Sequence, residues 1–107
     1  MTMTEHFQKE RAARYAYIAT TVGVGKVIHE HKQTYNKWGT EPCVVAVTDT
    51  GVVIVKSPEG AIVTMYIVSI QEARKYFVGA AIPFVLEAII KTNMKKGYVH
   101  RQNEGVV

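Results

Sequence analysis

Two of the four histidines, His29 and His31, lie two residues apart, and histidine is the side chain that titrates closest to neutral pH. Thr64 and Tyr66 also lie two residues apart, in an apolar run, so a β-strand would present both hydroxyl groups on one face. These residue types suit proton transfer and hydrogen bonding to a phosphate. The histidines could equally be packed structural residues, and the threonine and tyrosine could occur only because they favour β-strands. The functional and the structural interpretation therefore both stay open.

Four cationic side chains are candidates for holding a phosphate near these groups. Lys32 and Lys37 follow the histidines, and Arg11 and Arg14 border the apolar stripe of a predicted first helix. Arginine suits this task because its guanidinium group donates two parallel hydrogen bonds to one phosphate. The alternative for the arginines is an ordinary surface ion pair, for example with Glu10.

The segment from residue 43 to residue 69 is the centre of the predicted fold. Its three β-rich runs are separated by turn residues at 49–51 and 57–60, and turns of this length join neighbouring antiparallel strands. In the third run, alternation places three apolar residues on a face that we expect to contact the helices, namely Val63, Met65 and Ile67. The opposite face combines apolar residues with the hydroxyl candidates, in the order Ile62, Thr64, Tyr66 and Val68.

Two helices are predicted before the sheet, over residues 5–20 and 24–37, with glycines between them and a loop at 36–42. The apolar stripe of the second helix contains His31, and two helical steps place His29 about 200° around the axis. One metal ion could not contact both histidines of such a helix. The sequence therefore predicts no metal site.

Two further helices are predicted after the sheet. Ser69 and Glu72 have the spacing of a capping box, which begins a short helix, and Pro83 suits the first turn of a last helix that extends to about Lys96. The tail 98–107 has no pattern and is predicted to be mobile. The predicted fold is α+β, with a helical N-terminal half packed on a three- to four-stranded antiparallel meander and C-terminal helices, all in one domain of 107 residues.

Composition and missing motifs exclude several classes of protein. No apolar run is long enough to span a bilayer or to form a signal-peptide core, which predicts a cytoplasmic protein without membrane contact. The single cysteine, Cys43, cannot form an internal disulfide and fits a small buried hydrophobe. No CxxC metal motif, GxSxG elbow or glycine-rich phosphate loop occurs, so no cofactor is expected. The net charge of +4 is compatible with a polyanion, although it is below that of a dedicated DNA-binding module.

What survives is a set of histidine, lysine and hydroxyl groups that suits a metal-independent ribonuclease, which needs a base, phosphate stabilisers and an acid. A helical half with a histidine, followed by a meander ending in IVTMY at 62–66, resembles the barnase, EndoU, colicin and RelE-like group of small ribonuclease toxins. The resemblance covers residues 20–70. The resemblance implies that His29 or His31 is the base or acid, and that Lys32 or Lys37 stabilises the phosphate. It also implies that Thr64 with Tyr66 binds or protonates the phosphate.

The sequence supports two hypotheses about function. The first is a toxin-like, metal-independent endoribonuclease, whose partners would be RNA and an acidic antitoxin-like protein. The second is a non-enzymatic accessory protein of the phage or plasmid type, which acts by protein–protein interaction or oligomerisation. For this second hypothesis the predicted contact is either the last helix, around residues 83–96, or the edge of the sheet. Whether the protein is an enzyme is open at this stage.

Overall fold

A computed structural model of the chain describes residues 12–33 and 42–100. In chain order these residues form α1 (Ala12–Thr21), β1 (Val27–Gln33), β2 (Cys43–Thr48), β3 (Val52–Lys56), β4 (Ile62–Ile67), α2 (Ile70–Tyr76) and α3 (Phe84–Lys95). The strands form one antiparallel sheet in the order β1-β2-β3-β4. The predicted α+β class and the meander of β2, β3 and β4 are confirmed.

The sheet is buried on both faces, which we name after the helices that cover them. On the α1 face, Ile18 of α1 packs in a cluster with sheet residues that include Ala46, Ile54 and Met65. On the α2 face, α2 and α3 cover residues that include Val45 and Val55. A sheet enclosed on both sides needs continuous apolar strands rather than alternating ones, which the runs at 43–48 and 52–56 provide.

The predicted helix over 24–37 is wrong for the residues that the structure describes, because 27–33 form strand β1. Gly23 and Gly25 adopt positive φ angles of 79° and 77°, which a helix does not allow. Beyond them, burial alternates with a period of two, so the three-and-four spacing in this stretch was coincidental. Pairing with β2 satisfies backbone groups of the strand, and this long-range contact overrides the local helical pattern. Residues 34–41, including most of the predicted loop, lie outside the described ranges.

The turn between β2 and β3 fixes the connection that leads from α1 into β1. The Asp49 carboxylate accepts a hydrogen bond from the Lys26 amide at 2.9 Å, and the Thr50 hydroxyl donates to the Gly23 carbonyl at 2.7 Å. The side-chain amide of Asn93, in α3, donates a hydrogen bond to the Thr50 carbonyl at 3.1 Å. One turn therefore ties together β1, the sheet and the last helix.

The start of β4 departs from simple alternation. Val55 pairs with Thr64, but Lys56 pairs with Ile62, so the register shifts at this point. Because of this bulge, Ile62 packs in the cluster of the α1 face, and Val63 packs against the cluster of the α2 face. The predicted faces of Ile62 and Val63 are therefore wrong, whereas the assignment of Met65 to the core is confirmed.

The two helices after the sheet begin at the positions that Ser69 and Pro83 predict. The Ser69 hydroxyl accepts a hydrogen bond from the Glu72 amide at 3.2 Å and caps α2. Pro83 is the residue before α3, and Gly97 follows the helix with φ of 75°. The described part of the predicted first helix, α1, ends at Thr21, and residues 5–11 lie outside the described ranges.

The described part of the tail, residues 98–100, is hydrogen-bonded to the rest of the fold, which its lack of a sequence pattern does not indicate. The Tyr98 amide donates to the Asn93 carbonyl at 2.9 Å, and the His100 amide donates to the Ile67 carbonyl at 2.9 Å. The Ile67 amide in turn donates to Nδ1 of His100 at 3.2 Å. Tyr98 is thus bonded to α3 and His100 to the end of β4, while residues 101–107 lie outside the described ranges.

Two glycines in successive turns provide a matched test of this packing. Gly51 has φ of 85°, and a Cβ there would lie 3.0 Å from Cγ1 of Ile90 in α3; Gly60 has φ of 92°, and a Cβ there would meet nothing within 4 Å. We expect Gly51→Ala to lower the free energy of unfolding by about 2–4 kcal/mol and Gly60→Ala by about 1–2 kcal/mol, since only the first adds a clash to the backbone strain. Urea denaturation measures both, and equal losses would contradict the packing of α3 on this turn.

Candidate functional site

Three polar side chains of β1 point toward the α2 face. His29 pairs with Val47 and His31 pairs with Val45, and cross-strand partners share a face of the sheet. Gln33 lies two residues further along and therefore on the same side. Because β1 is the first strand of the sheet, these side chains form a polar strip at one edge of an otherwise apolar layer.

Two aromatic residues at the end of α2 cover the histidines. The His29 ring stacks on Phe77, with ring centroids 4.6 Å apart and an angle of 18° between the planes. The His31 ring lies 6.3 Å from the ring of Tyr76, with an angle of 28°. The centroids of the two imidazoles are 6.3 Å apart. The strand conformation thus places the two histidines side by side, which the predicted helix would have prevented.

Three polar atoms of this strip are buried without a hydrogen-bond partner: Nε2 of His29, Nδ1 of His31 and Oε1 of Gln33. Buried polar atoms in folded proteins nearly always have a partner, and each one left without a partner costs about 1–3 kcal/mol. Three such atoms at alternate positions of a single strand are therefore an unusual feature that needs a physical explanation.

The environment lowers the pKa of His31 below its ordinary value of 6.5. Burial is the main cause, and the neighbouring charge of His29 is the second. His31 is therefore uncharged near neutral pH and can act there as an acceptor of a proton or as a ligand.

Thr64 and Tyr66 share the α2 face with the histidines but lie at the opposite edge of the sheet. The register forms two rows across the four strands, one of His31, Val45, Val55 and Thr64, and one of His29, Val47, Val53 and Tyr66. Three strand spacings separate the ends of each row by about 14 Å. The structure therefore places the predicted acid–base groups and hydroxyls on one face without bringing them into contact.

The two predicted hydroxyl groups are buried beneath the helices. Thr64 is 4% exposed and Tyr66 is 3% exposed. The Tyr66 hydroxyl forms a hydrogen bond of 2.8 Å with the hydroxyl of Tyr76, so it contributes to the interior that joins α2 to the sheet. In this conformation neither hydroxyl lies at a surface that a phosphate could reach, and their catalytic roles stay predictions.

The described cationic candidates lie on the other side of the sheet. Lys32 alternates with the histidines along β1 and so projects toward the α1 face, as does Glu30, which forms an ion pair of 2.8 Å with Lys56. Arg14 belongs to α1, the helix that covers that face. The structure therefore separates these cations from the histidines. Arg11 and Lys37 lie outside the described residues.

Cys43 is the buried residue that its pattern predicted. Burial raises the pKa of its thiol, so the thiol is protonated near neutral pH and is a poor nucleophile. Across the described ranges, no group of three or more histidine, cysteine, aspartate or glutamate side chains is placed to hold a metal ion.

A second candidate feature, which the sequence reasoning missed, is an exposed apolar surface between α2 and α3. It consists of Val78, Ala80, Ala81, Pro83, Phe84 and Val85, and we call it the 78–85 surface. Phe84 is 85% exposed, Val85 is 70% exposed and Val78 is 55% exposed. The signal was present in the sequence, because no polar side chain occurs from residue 77 to residue 86, although a connection between helices is usually polar.

Buried neighbours hold this surface in place. Phe77 and Leu86, at its two ends, belong to the core cluster of the α2 face, and Ile82 in its middle packs against that cluster. Basic residues lie beside it: Arg74 contacts Glu87 at 3.2 Å, and Lys91 contacts the same carboxylate at 3.6 Å. The 78–85 surface is therefore an apolar patch whose neighbouring residues are packed in the core, and basic side chains lie at its border.

The chain was also compared with known proteins. Neither protein-family models nor curated proteins nor solved structures provide a match. Among the described helices, none combines the length and apolar character that crossing a bilayer requires. Function must therefore be inferred from the geometry of the molecule itself.

The lowered pKa of His31 predicts how stability depends on pH in metal-free buffer. Above pH 6.5 His31 is neutral in both the folded and the unfolded chain. Below pH 6.5 His31 is protonated more readily in the unfolded chain than in the folded chain, because its pKa is lower in the folded state. The free energy of unfolding therefore falls as the pH falls. We expect His31→Gln to reduce this slope relative to the unmodified protein in urea titrations between pH 7.5 and 5.5 with EDTA. An unchanged slope would contradict the burial of His31 beneath α2.

Proposed function

We propose that this protein is a non-enzymatic interaction module that binds a partner protein through the 78–85 surface. The observation that carries the proposal is the exposure of Phe84 and Val85, at 85% and 70%, in the first turn of α3, between the buried residues Phe77 and Leu86. Contiguous exposed apolar groups on a soluble fold mark binding sites, and a protruding aromatic side chain among small neighbours suits a pocket on a partner. The contact predicted around residues 83–96 overlaps this surface.

The charges at the border indicate what kind of partner fits. Arg74 and Lys91 are exposed there, and both contact the carboxylate of Glu87, which leaves a net charge of +1 from two cations and one acid. Two copies of this chain meeting through the same surface would bring like charges together, which is unfavourable. The complementary partner is a different protein that has an apolar pocket bordered by aspartate or glutamate side chains.

Phe84→Asp is the direct test of this surface. Because Phe84 is almost fully exposed, we expect the variant to retain the unfolding temperature of the parent and to lose at least about thirtyfold in affinity for the partner, as for a central interface aromatic. The partner is first identified by photo-crosslinking from p-benzoylphenylalanine at position 84, in cells that naturally encode the chain. Calorimetry then measures its affinity for the purified proteins.

Ile28→Asp is the matched control, since Ile28 is an exposed apolar residue that belongs to β1 and not to the 78–85 surface. We expect this control to bind normally, and the crosslinked partner segment to be apolar with neighbouring acidic residues. Crosslinks from residue 84 only to other copies of the chain would contradict the assignment of a different protein as partner. Equal losses in both variants would contradict the assignment of the contact to the 78–85 surface.

A second candidate function is a metal-independent endoribonuclease, and the observation that favours it is the histidine pair. Nε2 of His29 and Nδ1 of His31 both lack a partner, and His31 is uncharged near neutral pH, as a general base must be. RNA would have to displace Tyr76 and Phe77 to reach these nitrogens. This requirement makes the enzyme the weaker of the two proposals.

Incubation of purified protein with RNA in EDTA tests the second candidate. It predicts products with 2′,3′-cyclic phosphate ends, and a loss of at least about a hundredfold in rate for His31→Ala, which is the usual effect of removing an acid–base group. Thr64→Val should also abolish cleavage if the buried hydroxyl takes part. Intact RNA at high protein concentration would exclude this activity.

A further inference from the structure

The strand conformation of β1 changes what its histidines can bind. On the predicted helix they would have pointed in different directions, whereas on the strand both project from one face, with ring centroids 6.3 Å apart. Gln33 follows on the same face. Three side chains with lone-pair donors are therefore presented in a row by residues 29, 31 and 33.

The unpartnered atoms of this row are the ones that a metal ion uses. Neutral imidazole nitrogen is the commonest protein ligand of transition metals, and an amide oxygen can add a weaker third donor. A bound ion is one accepted explanation for buried polar atoms that have no hydrogen-bond partner. The same explanation covers all three atoms, Nε2 of His29, Nδ1 of His31 and Oε1 of Gln33.

The surroundings of His31 favour this role. The ring of His31 lies beside Tyr76, with ring centroids 6.3 Å apart, and its buried Nδ1 has no hydrogen-bond partner, so this nitrogen is the one available as a ligand. Stacking on Phe77 limits the orientation of the His29 ring.

We propose that His29, His31 and Gln33 form a binding site for a divalent transition-metal ion of the zinc, nickel or copper class on the edge strand. Bonds of about 2.0–2.1 Å from zinc to two imidazole nitrogens require the rings to approach more closely than their present centroid separation of 6.3 Å. Small rotations of the two rings beside Phe77 and Tyr76 would provide this approach. Water or a group from a bound molecule would complete the coordination.

Isothermal titration of the metal-free full chain with ZnCl2, NiCl2 or CuSO4 tests the site, with MgCl2 as the comparison for a hard ion. We expect one equivalent of each transition metal to bind and magnesium not to bind. His29→Gln and His31→Gln should each weaken binding at least tenfold. Lys32→Gln, on the same strand but the opposite face, should bind as the parent does.

Two further variants keep the test decisive. Gln33→Glu should tighten zinc binding, because a carboxylate is a stronger ligand than an amide oxygen, and this gain cannot result from misfolding. Electron paramagnetic resonance of the copper form should show two nitrogen ligands, and one fewer after either histidine substitution. Absence of transition-metal binding by the parent, or unchanged binding by the double variant His29→Gln/His31→Gln, which retains His6 and His100, would overturn the proposal.

Discussion

The pairing of β1 with β2 is the contact on which the placement of the candidate groups depends. Its register, with His29 opposite Val47 and His31 opposite Val45, places both histidines on the α2 face. The turn at Asp49 anchors the start of the strand through hydrogen bonds in both directions with Lys26. A slip of one residue would reverse every side chain of β1, so this anchoring determines which face is polar.

Enclosure of the sheet on both faces explains why the chemistry suggested by the residue types does not assemble into an open active site. Val45, Val47, Val53 and Val55 fill the α2 face between the histidines and the hydroxyls, and all four are fully buried. Among the described residues of this layer, the histidines at the edge of the sheet are half-buried, and the 78–85 surface is exposed. The proposed functions therefore belong to these two places, one a partner surface and the other a polar strip beneath aromatic rings.

Much of the fold was predictable because its signals are local. The Ser69 cap, Pro83 before α3 and the glycines of the tight turns each act through neighbouring backbone groups. The identity of β1 was not predictable in this way, because its residues also fit a helical spacing and only long-range pairing with β2 selects the strand. The cover of the histidines by Phe77 is likewise a contact across 48 positions of the chain (77 − 29), which no local pattern reports.

We propose that function depends on the exposed apolar surface and not on the buried hydroxyls of β4. The most direct measurement compares capture of the crosslink-identified partner by two full-length variants, Phe84→Asp and Thr64→Val, at equal concentration and with matched circular dichroism spectra. We expect Phe84→Asp to lose the partner and Thr64→Val to retain it, because Phe84 is 85% exposed and Thr64 only 4%. Retention by Phe84→Asp together with loss by Thr64→Val would contradict this proposal.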